Sequence, residues 1–249
     1  MEEICFCIPA RFNSSRLEHK LLLDLYGETC IRRTIKQVRK SKFFNNNIYV
    51  LTDSELIKNN IEDLECHILI TSTDYRNGSE RISKNLHLIN SKFRYVVNIQ
   101  ADEPYISPKN IDFSIEKHIE NNTDDLFYTT LHEEKNDIEY LKSTASLKMV
   151  TDKNNNVLYY SRNIIPWNKK GEIRYNYVYK TFTGIYVYNK SMLEMYGNMD
   201  DTELQCMEDC EQLKILENGY KIKSYSSIEY NEISLNTPED YKYLLGKYK

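Results

Sequence analysis

Three cations, Arg11, Arg16 and Lys20, and two serines, Ser14 and Ser15, fall in one short segment directly after an apolar run. Guanidinium, ammonium and backbone N–H groups gathered in one loop can wrap a triphosphate, and a solvated basic loop is the other reading these residues allow. Neither G-x-G-x-x-G nor G-x-x-x-x-G-K-[ST] occurs, which counts against a dinucleotide fold or a P-loop. A second segment, Gln100-Ala101-Asp102-Glu103-Pro104, sets a carboxylate behind another apolar run. That is a natural place for a hard cation such as Mg2+ to meet substrate phosphates, or for an Asp that only caps a turn before Pro104. A third, residues 74–81, holds an Asn77-Gly78 turn running into a helix start, and either offers backbone groups to a base or phosphate or is a plain loop. Lastly, Glu208, Glu211 and Gln212 stand at i, i+3 and i+4, opposite a helical stripe of Cys206, Met207, Cys210 and Leu213. They face a polar substrate or form an ordinary acidic surface.

The apolar pattern fixes where these segments sit. Residues 4–8 are apolar throughout, as a strand covered on both faces is, and the run stops at Pro9. Ile31, Ile35 and Val38 recur at helical spacing in a helix ending near Lys42, and residues 48–52 form a second strand. Asp53 or Ser54 caps the short helix that follows. A strand at 68–71, a helix carrying Ile82, Leu86 and Ile89, and a strand at 95–100 continue the alternation. Repeated βα units predict an α/β domain with a mostly parallel sheet, whose ligands bind beyond the carboxyl ends of the strands. The basic loop, the Asn77-Gly78 turn and Asp102 all fall at such ends.

Beyond Leu126 the texture turns β-rich, at 126–131, 147–151 and 178–188. One helix is expected from about Thr202 to Asn218, stopped by Gly219, then a strand at 220–224. A last helix opens at Thr237-Pro238-Glu239-Asp240, with Thr as N-cap and Pro at the first helical position. With seven glycines, five prolines and no repeat, a flexible joint has no obvious place, so residues 1–249 read as one domain with parts at 1–125 and 126–249.

Charge and composition narrow the function classes. There are 33 basic and 37 acidic residues in 249, a net charge of −4 without a basic stripe, which excludes affinity built mainly on nucleic-acid phosphates. No apolar run approaches the roughly 20 residues that span a bilayer, and Met1-Glu2-Glu3 is acidic where a signal peptide is basic. A cytoplasmic protein without a membrane segment is the expectation. The six cysteines show no zinc-finger spacing and read as free thiols.

In combination, the segments resemble the 3-deoxy-D-manno-octulosonate cytidylyltransferase (CMP-Kdo synthetase) family. Residues 8–20 resemble its P-A-R-x-x-S-x-R-L-x-x-K loop, and residues 98–104 its N-x-Q-G-D-E-P. Residues 77–81 match S-G-T-E-R, 159–167 Y-F-S-R-x-x-I-P-W, 184–186 G-I-Y, 208–213 E-x-x-E-Q-L, and 237–240 D-T-P-E-D without its first Asp. Seven segments in family order cover nearly the whole chain. The resemblance implies a Rossmann-like nucleotidyltransferase fold of glycosyltransferase-A type, with a β-rich second part for sugar binding and dimerisation. It implies transfer of CMP from CTP to an acidic sugar, Kdo or a close relative, with release of pyrophosphate, for a surface glycan or lipopolysaccharide, and a homodimer.

On that pattern Arg11, Arg16, Lys20 and Asp102 are the catalytic set, with Ala10, Ser15, Asn77, Gly78, Ser79 and Arg81 joining the cations around the nucleotide. Gln100, Arg162, Glu211 and Gln212 hold the sugar, the fork of Arg162 being suited to its carboxylate. Asp102 and Asn236 stand where the family holds Mg2+. Four departures accompany the match. Asn236 replaces the first Asp of D-T-P-E-D and removes a negative charge, so weaker Mg2+ binding is expected. Phe182 replaces a His on the sugar side, Ala101 a glycine and Tyr75 a His. These keep two alternatives open, another sialic-like sugar acid as substrate and a catalytically weakened nucleotide-binding homologue.

Overall fold

Strand β1 (Ile4–Ala10) is buried at every position and sends its side chains alternately to two cores. Ile4, Phe6, Ile8 and Ala10 enter one apolar cluster, Cys5 and Cys7 the other, as a strand with helices on both faces requires. The computed structural model describes residues 3–171, 173–174, 176–230 and 233–247. Among these, β1 pairs in parallel with β2 (Ile48–Thr52) and β4 (Tyr95–Ile99), and β2 with β3 (His67–Ile70). The strand order β3-β2-β1-β4 continues through β8 (Tyr179–Asn189), β5 (Leu126–Lys135) and β9 (Lys221–Ser226), with β6 (Lys148–Thr151) and β7 (Val157–Ser161) branching off β8. Strand β8 is antiparallel to both β4 and β5, whereas β9 returns parallel to β5. Along the path from β3 to β9 four of the six pairings are parallel, as the alternating pattern predicts, and the pairings of the β6 branch are antiparallel.

Helices α1 (Cys30–Val38), α2 (Glu55–Ile61) and α4 (Pro108–Glu120) bury Ile31, Ile35, Ile57, Ile61, Ile111 and Ile115 on one face of the sheet. Helices α3 (Gly78–Lys84) and α6 (Lys190–Tyr196) cover the other with Ile82, Leu193 and Tyr196. Of the two candidate caps before α2, Ser54 does the work: its side chain accepts from the Leu56 and Ile57 amides. Helix α4 has its own start signal, Ser107 as cap with Pro108 next, which the apolar pattern had passed over. A short helix, α5 (Ile138–Lys142), leads into β6.

The helix expected from Thr202 to Asn218 is two helices, α7 (Glu203–Glu208) and α8 (Glu211–Glu217). Asp209 between them adopts a left-handed conformation, φ 45°, ψ 56°, which Asp tolerates better than most residues. Tertiary bonds favour the break: the Arg162 side chain takes the Glu208 and Asp209 carbonyls, which continued helix would otherwise use. The expected stripe fails accordingly, with Cys206 exposed and Met207 80% exposed while Cys210 and Leu213 are buried. Last comes α9 (Pro238–Lys247), whose Leu244 is buried in the cluster that α1 enters.

Candidate active site

The ends of β1, β2 and β4 lie side by side because these strands are parallel neighbours, and the segments leaving them meet. In the loop after β1, Arg11, Ser15 and Arg16 are exposed, whereas Lys20 turns inward and is 9% exposed. Phe12 stacks on His19 with ring centroids 4.2 Å apart, which folds the loop on itself. The Lys20 ammonium contacts the Asp102 carboxylate and lies 3.2 Å from Asn236 Oδ1; Arg16 Nη2 reaches the same amide oxygen at 3.3 Å. A loop, a strand end and the segment leading into α9, far apart in sequence, thus converge on one cationic group.

Asn236 is fixed from both sides. Asp240 Oδ2 accepts from the Asn236 and Thr237 amides at 2.9 and 2.8 Å, and the Leu235 amide donates to the Asp102 carbonyl at 2.8 Å. Ser234 donates to the buried Glu103 carboxylate. Asp102 and Asn236 therefore offer two oxygens to one cation, the donor chemistry a hard metal ion takes. No cluster of three or more His, Cys, Asp or Glu side chains suited to a metal occurs among the described residues. A metal here would complete its shell with substrate oxygens and water.

Ala101, the replacement for a family glycine, does not crowd the site, because its side chain is buried in the core and its carbonyl accepts from Thr34 at 3.0 Å. Gly78 is held to glycine by packing: a Cβ there would lie 2.7 Å from Pro9 Cγ and 3.3 Å from Gln100 Nε2. Beside it, the Asn77 side chain caps α3 by accepting from the Glu80 amide.

From Gln100 a chain of polar groups crosses to the second part of the molecule. Gln100 Nε2 donates to Asn98 Oδ1 at 3.2 Å, and Asn98 Nδ2 to Ser79 Oγ at 3.4 Å. Ser79 Oγ meets Glu211 Oε1 at 3.2 Å and Tyr188 at 3.0 Å. Gln212, buried, donates to the Tyr186 hydroxyl at 3.0 Å. Glu211 Oε2 is buried with no hydrogen-bond partner among the described residues. Burial pushes the Glu211 carboxyl above the ordinary range, against the lowering effect of the nearby Tyr186 and Ser79 hydroxyls. Phe182 packs beside this network, its ring 5.0 Å from that of Tyr186 and 6.1 Å from that of Tyr160, so an apolar wall stands where the family has a polar side chain.

The residue pattern of the cytidylyltransferase family matches residues 5–222. The chain belongs to that family. A 3-deoxy-manno-octulosonate cytidylyltransferase of Arabidopsis thaliana mitochondria is 35% identical over 233 residues, 94% of this chain and 79% of that protein. One from Francisella tularensis subsp. holarctica is 34% identical over 245 residues, 96% of each. Among solved structures, a CMP:2-keto-3-deoxy-manno-octonic acid synthetase complexed with CTP superimposes with a TM-score of 0.87 at 23% identity, covering 98% of this chain and 97% of that one. A nucleotidyl transferase from Methanothermobacter gives 0.63 at 15%, covering 98% and 96%. These likenesses establish the nucleotidyltransferase fold.

Two residues of this cytidylyltransferase are used differently from what the resemblance implies. Arg81 is 3% exposed and turned away from the cradle, pairing with Asp53 at 2.8 Å and Thr71 at 2.5 Å under the ring of Tyr75. Arg162 spends its guanidinium and Nε–H on the carbonyls of Thr144, Ala145, Glu208 and Asp209 at 2.7–3.3 Å, so its fork is not free for a sugar carboxylate. The supposed common face of Glu208, Glu211 and Gln212 is also split by the break at Asp209. Glu208 accepts from Ser161 Oγ and the Arg162 amide, both at 2.8 Å, while Glu211 and Gln212 turn to the polar network. Asp53 is the residue that sequence reading undervalued; its only signal was its place directly after β2.

Proposed function

We propose that this cytidylyltransferase joins CMP from CTP to a 3-deoxy-octulosonic acid, Kdo or a close relative, for a surface glycan or lipopolysaccharide. The single observation that carries the reading is the convergence of Lys20, Asp102 and Asn236 beside the basic loop, between the nucleotide and sugar sides. The names of the full-length relatives support the sugar. In the reaction the anomeric hydroxyl of the sugar acid gives up its proton to solvent as its oxygen bonds to the α-phosphorus, the bond from that phosphorus to the bridging oxygen breaks, and pyrophosphate leaves with the electron pair. Arg11, Arg16 and Lys20 hold the triphosphate and offset the charge that grows on the leaving group. Asp102 and Asn236 would hold Mg2+, which supplies charge neutralisation at the phosphates. Asn77, Gly78 and Ser79 form the wall of the nucleotide cradle with Ala10 and Ser15. Gln100, Glu211 and Gln212 receive the sugar hydroxyls. A homodimer is supported by the exposed Leu158, Trp167, Tyr177 and Val178, all in the second part.

Pyrophosphate release from CTP at millimolar Mg2+, with and without Kdo, tests the reading. Release that requires Kdo and disappears in Asp102→Ala supports it, and CTP binding without release under any sugar acid overturns it. Phe182 and its aromatic neighbours favour one second reading, a sugar acid with a less polar group at that wall. Release with another octulosonic or nonulosonic acid, and not with Kdo, would mark it.

A further inference from the structure

Asp53 stands at the end of β2, next to the end of β1 because Ala10 and Thr52 are register partners. Its two carboxylate oxygens go to different elements. Oδ1 accepts the Phe12 amide at 2.8 Å, and Oδ2 pairs with Arg81 Nη2 of α3 at 2.8 Å. The pair is 8% and 3% exposed at the side chains, and Arg81 reaches on to Thr71 Oγ1, whose own amide donates to the Thr52 carbonyl at 2.8 Å. The segments leaving β1, β2 and β3 and the first turns of α3 are thus tied through one carboxylate. The anchored amide lies between Arg11 and Arg16, and the tethered helix begins with Gly78 and Ser79. Both Asp53 carboxylate oxygens and both terminal nitrogens of Arg81 are engaged by these partners.

We infer that Asp53 is a positioning residue for CTP: held in place by Arg81, it fixes the Phe12 amide and so sets the geometry of the cation-bearing loop. The inference rests on the assignment of that loop to the triphosphate. A buried ion pair is costly to break on one side and tolerated when both charges are removed, so the informative variants remove both. Asp53→Asn with Arg81→Met keeps an oxygen for the Phe12 amide; Asp53→Leu with Arg81→Met is of similar shape and offers none. If the carboxylate positions the loop, the Leu-containing double variant raises KM for CTP about tenfold, the factor a charge-assisted hydrogen bond carries, with KM for the sugar acid unchanged. The Asn-containing double variant then stays within about threefold of the parent for both substrates. Equal losses in the two, or failure of both to fold, would make the pair a support of the fold alone and overturn the inference. In the unaltered protein, hydrogen exchange gives a readout that needs no substrate. The Phe12 amide is expected to be protected beside the exposed Arg11 and Asn13, and rapid exchange there would equally overturn it. A parent enzyme that releases no pyrophosphate from CTP would instead count against the proposed reaction, with the exchange result still reading the tether.

Discussion

Lys20 Nζ lies 3.2 Å from Asn236 Oδ1 while also contacting the Asp102 carboxylate, so one ammonium bridges two oxygens that the chain carries 134 residues apart. With Asp at 236 the same ammonium would face two carboxylates, and a divalent cation would be favoured more strongly at those oxygens. Asn236→Asp is expected to lower the Mg2+ concentration for half-maximal pyrophosphate release several-fold, roughly the effect of one added carboxylate on a hard-cation site. Titration of activity against Mg2+ at saturating CTP checks this; an unchanged midpoint would remove residue 236 from the metal assignment.

Gly78 faces Pro9 across a gap too small for a methyl group, with 2.7 Å to a ring that cannot swing away. Gly78→Ala is expected to push the start of α3 from the end of β1, costing about 1–3 kcal/mol of stability as overpacking does, and to raise KM for CTP more than KM for the sugar acid. Urea unfolding and initial-rate kinetics on the same preparation read both.

Glu211 brings a carboxyl whose protonation is favoured by burial. A group with its folded value raised contributes stability below its unfolded value and loses that contribution as pH rises through the folded value. The ionised side chain is therefore a cost at neutral pH. Glu211→Gln is expected to stabilise the protein relative to the parent, and more at pH 8 than at pH 5, while reducing turnover by removing an acceptor for the sugar. Denaturation curves at the two pH values decide it; a larger gain at pH 5 would contradict the burial argument.

His118 and His132 pull stability the other way. Burial lowers both imidazoles to about 4, with the Lys180 charge assisting at His132. His118 Nδ1 meets Thr129 Oγ1 at 3.0 Å between α4 and β5, and His132 Nδ1 meets Ser224 Oγ at 2.8 Å between β5 and β9. With folded values depressed, their contribution is complete above about pH 6.5 and lost as pH falls toward 4, at about 1.4 kcal/mol per pH unit for each proton taken up. His132→Asn is expected to flatten the fall of stability between pH 6.5 and 4, measured by chemical denaturation across that interval.

Arg162 and Lys148 give a last test. Lys148 is fully buried and donates to the Ser143 and Ser146 carbonyls at 3.0 and 2.8 Å and to the Arg162 carbonyl, while burial and the Arg162 charge lower its ammonium to about 8. If the guanidinium of Arg162 holds the break between α7 and α8, Arg162→Ala should cost about 2–4 kcal/mol, by leaving carbonyls unpaired, and reduce turnover through displaced Glu211. Arg162→Lys should recover little of either, because an ammonium cannot span four carbonyls. Selective loss of sugar-acid binding with unchanged stability would restore the direct contact that the resemblance implies.

Local information determined what local physics controls. Residues 4–8 and 48–52 read as covered strands because unbroken apolar runs of that length fit little else, and parallel α/β architecture then put the basic loop and Asp102 at strand ends. The cap and proline of α9 were equally legible, because the groups that satisfy a helix start lie within four residues of it. Residue types alone could not say which donor meets which acceptor. Arg81 and Arg162 carry the same guanidinium as Arg11, and only burial opposite Asp53, or among four carbonyls, turned them from ligand groups into supports. The helix from Thr202 to Asn218 was unbroken in periodicity, and what broke it was a side chain 47 residues away competing for the Asp209 carbonyl. Periodicity reports the preference of one segment for water or core; the hydrogen bonds that decide a site join segments whose proximity only the folded sheet creates.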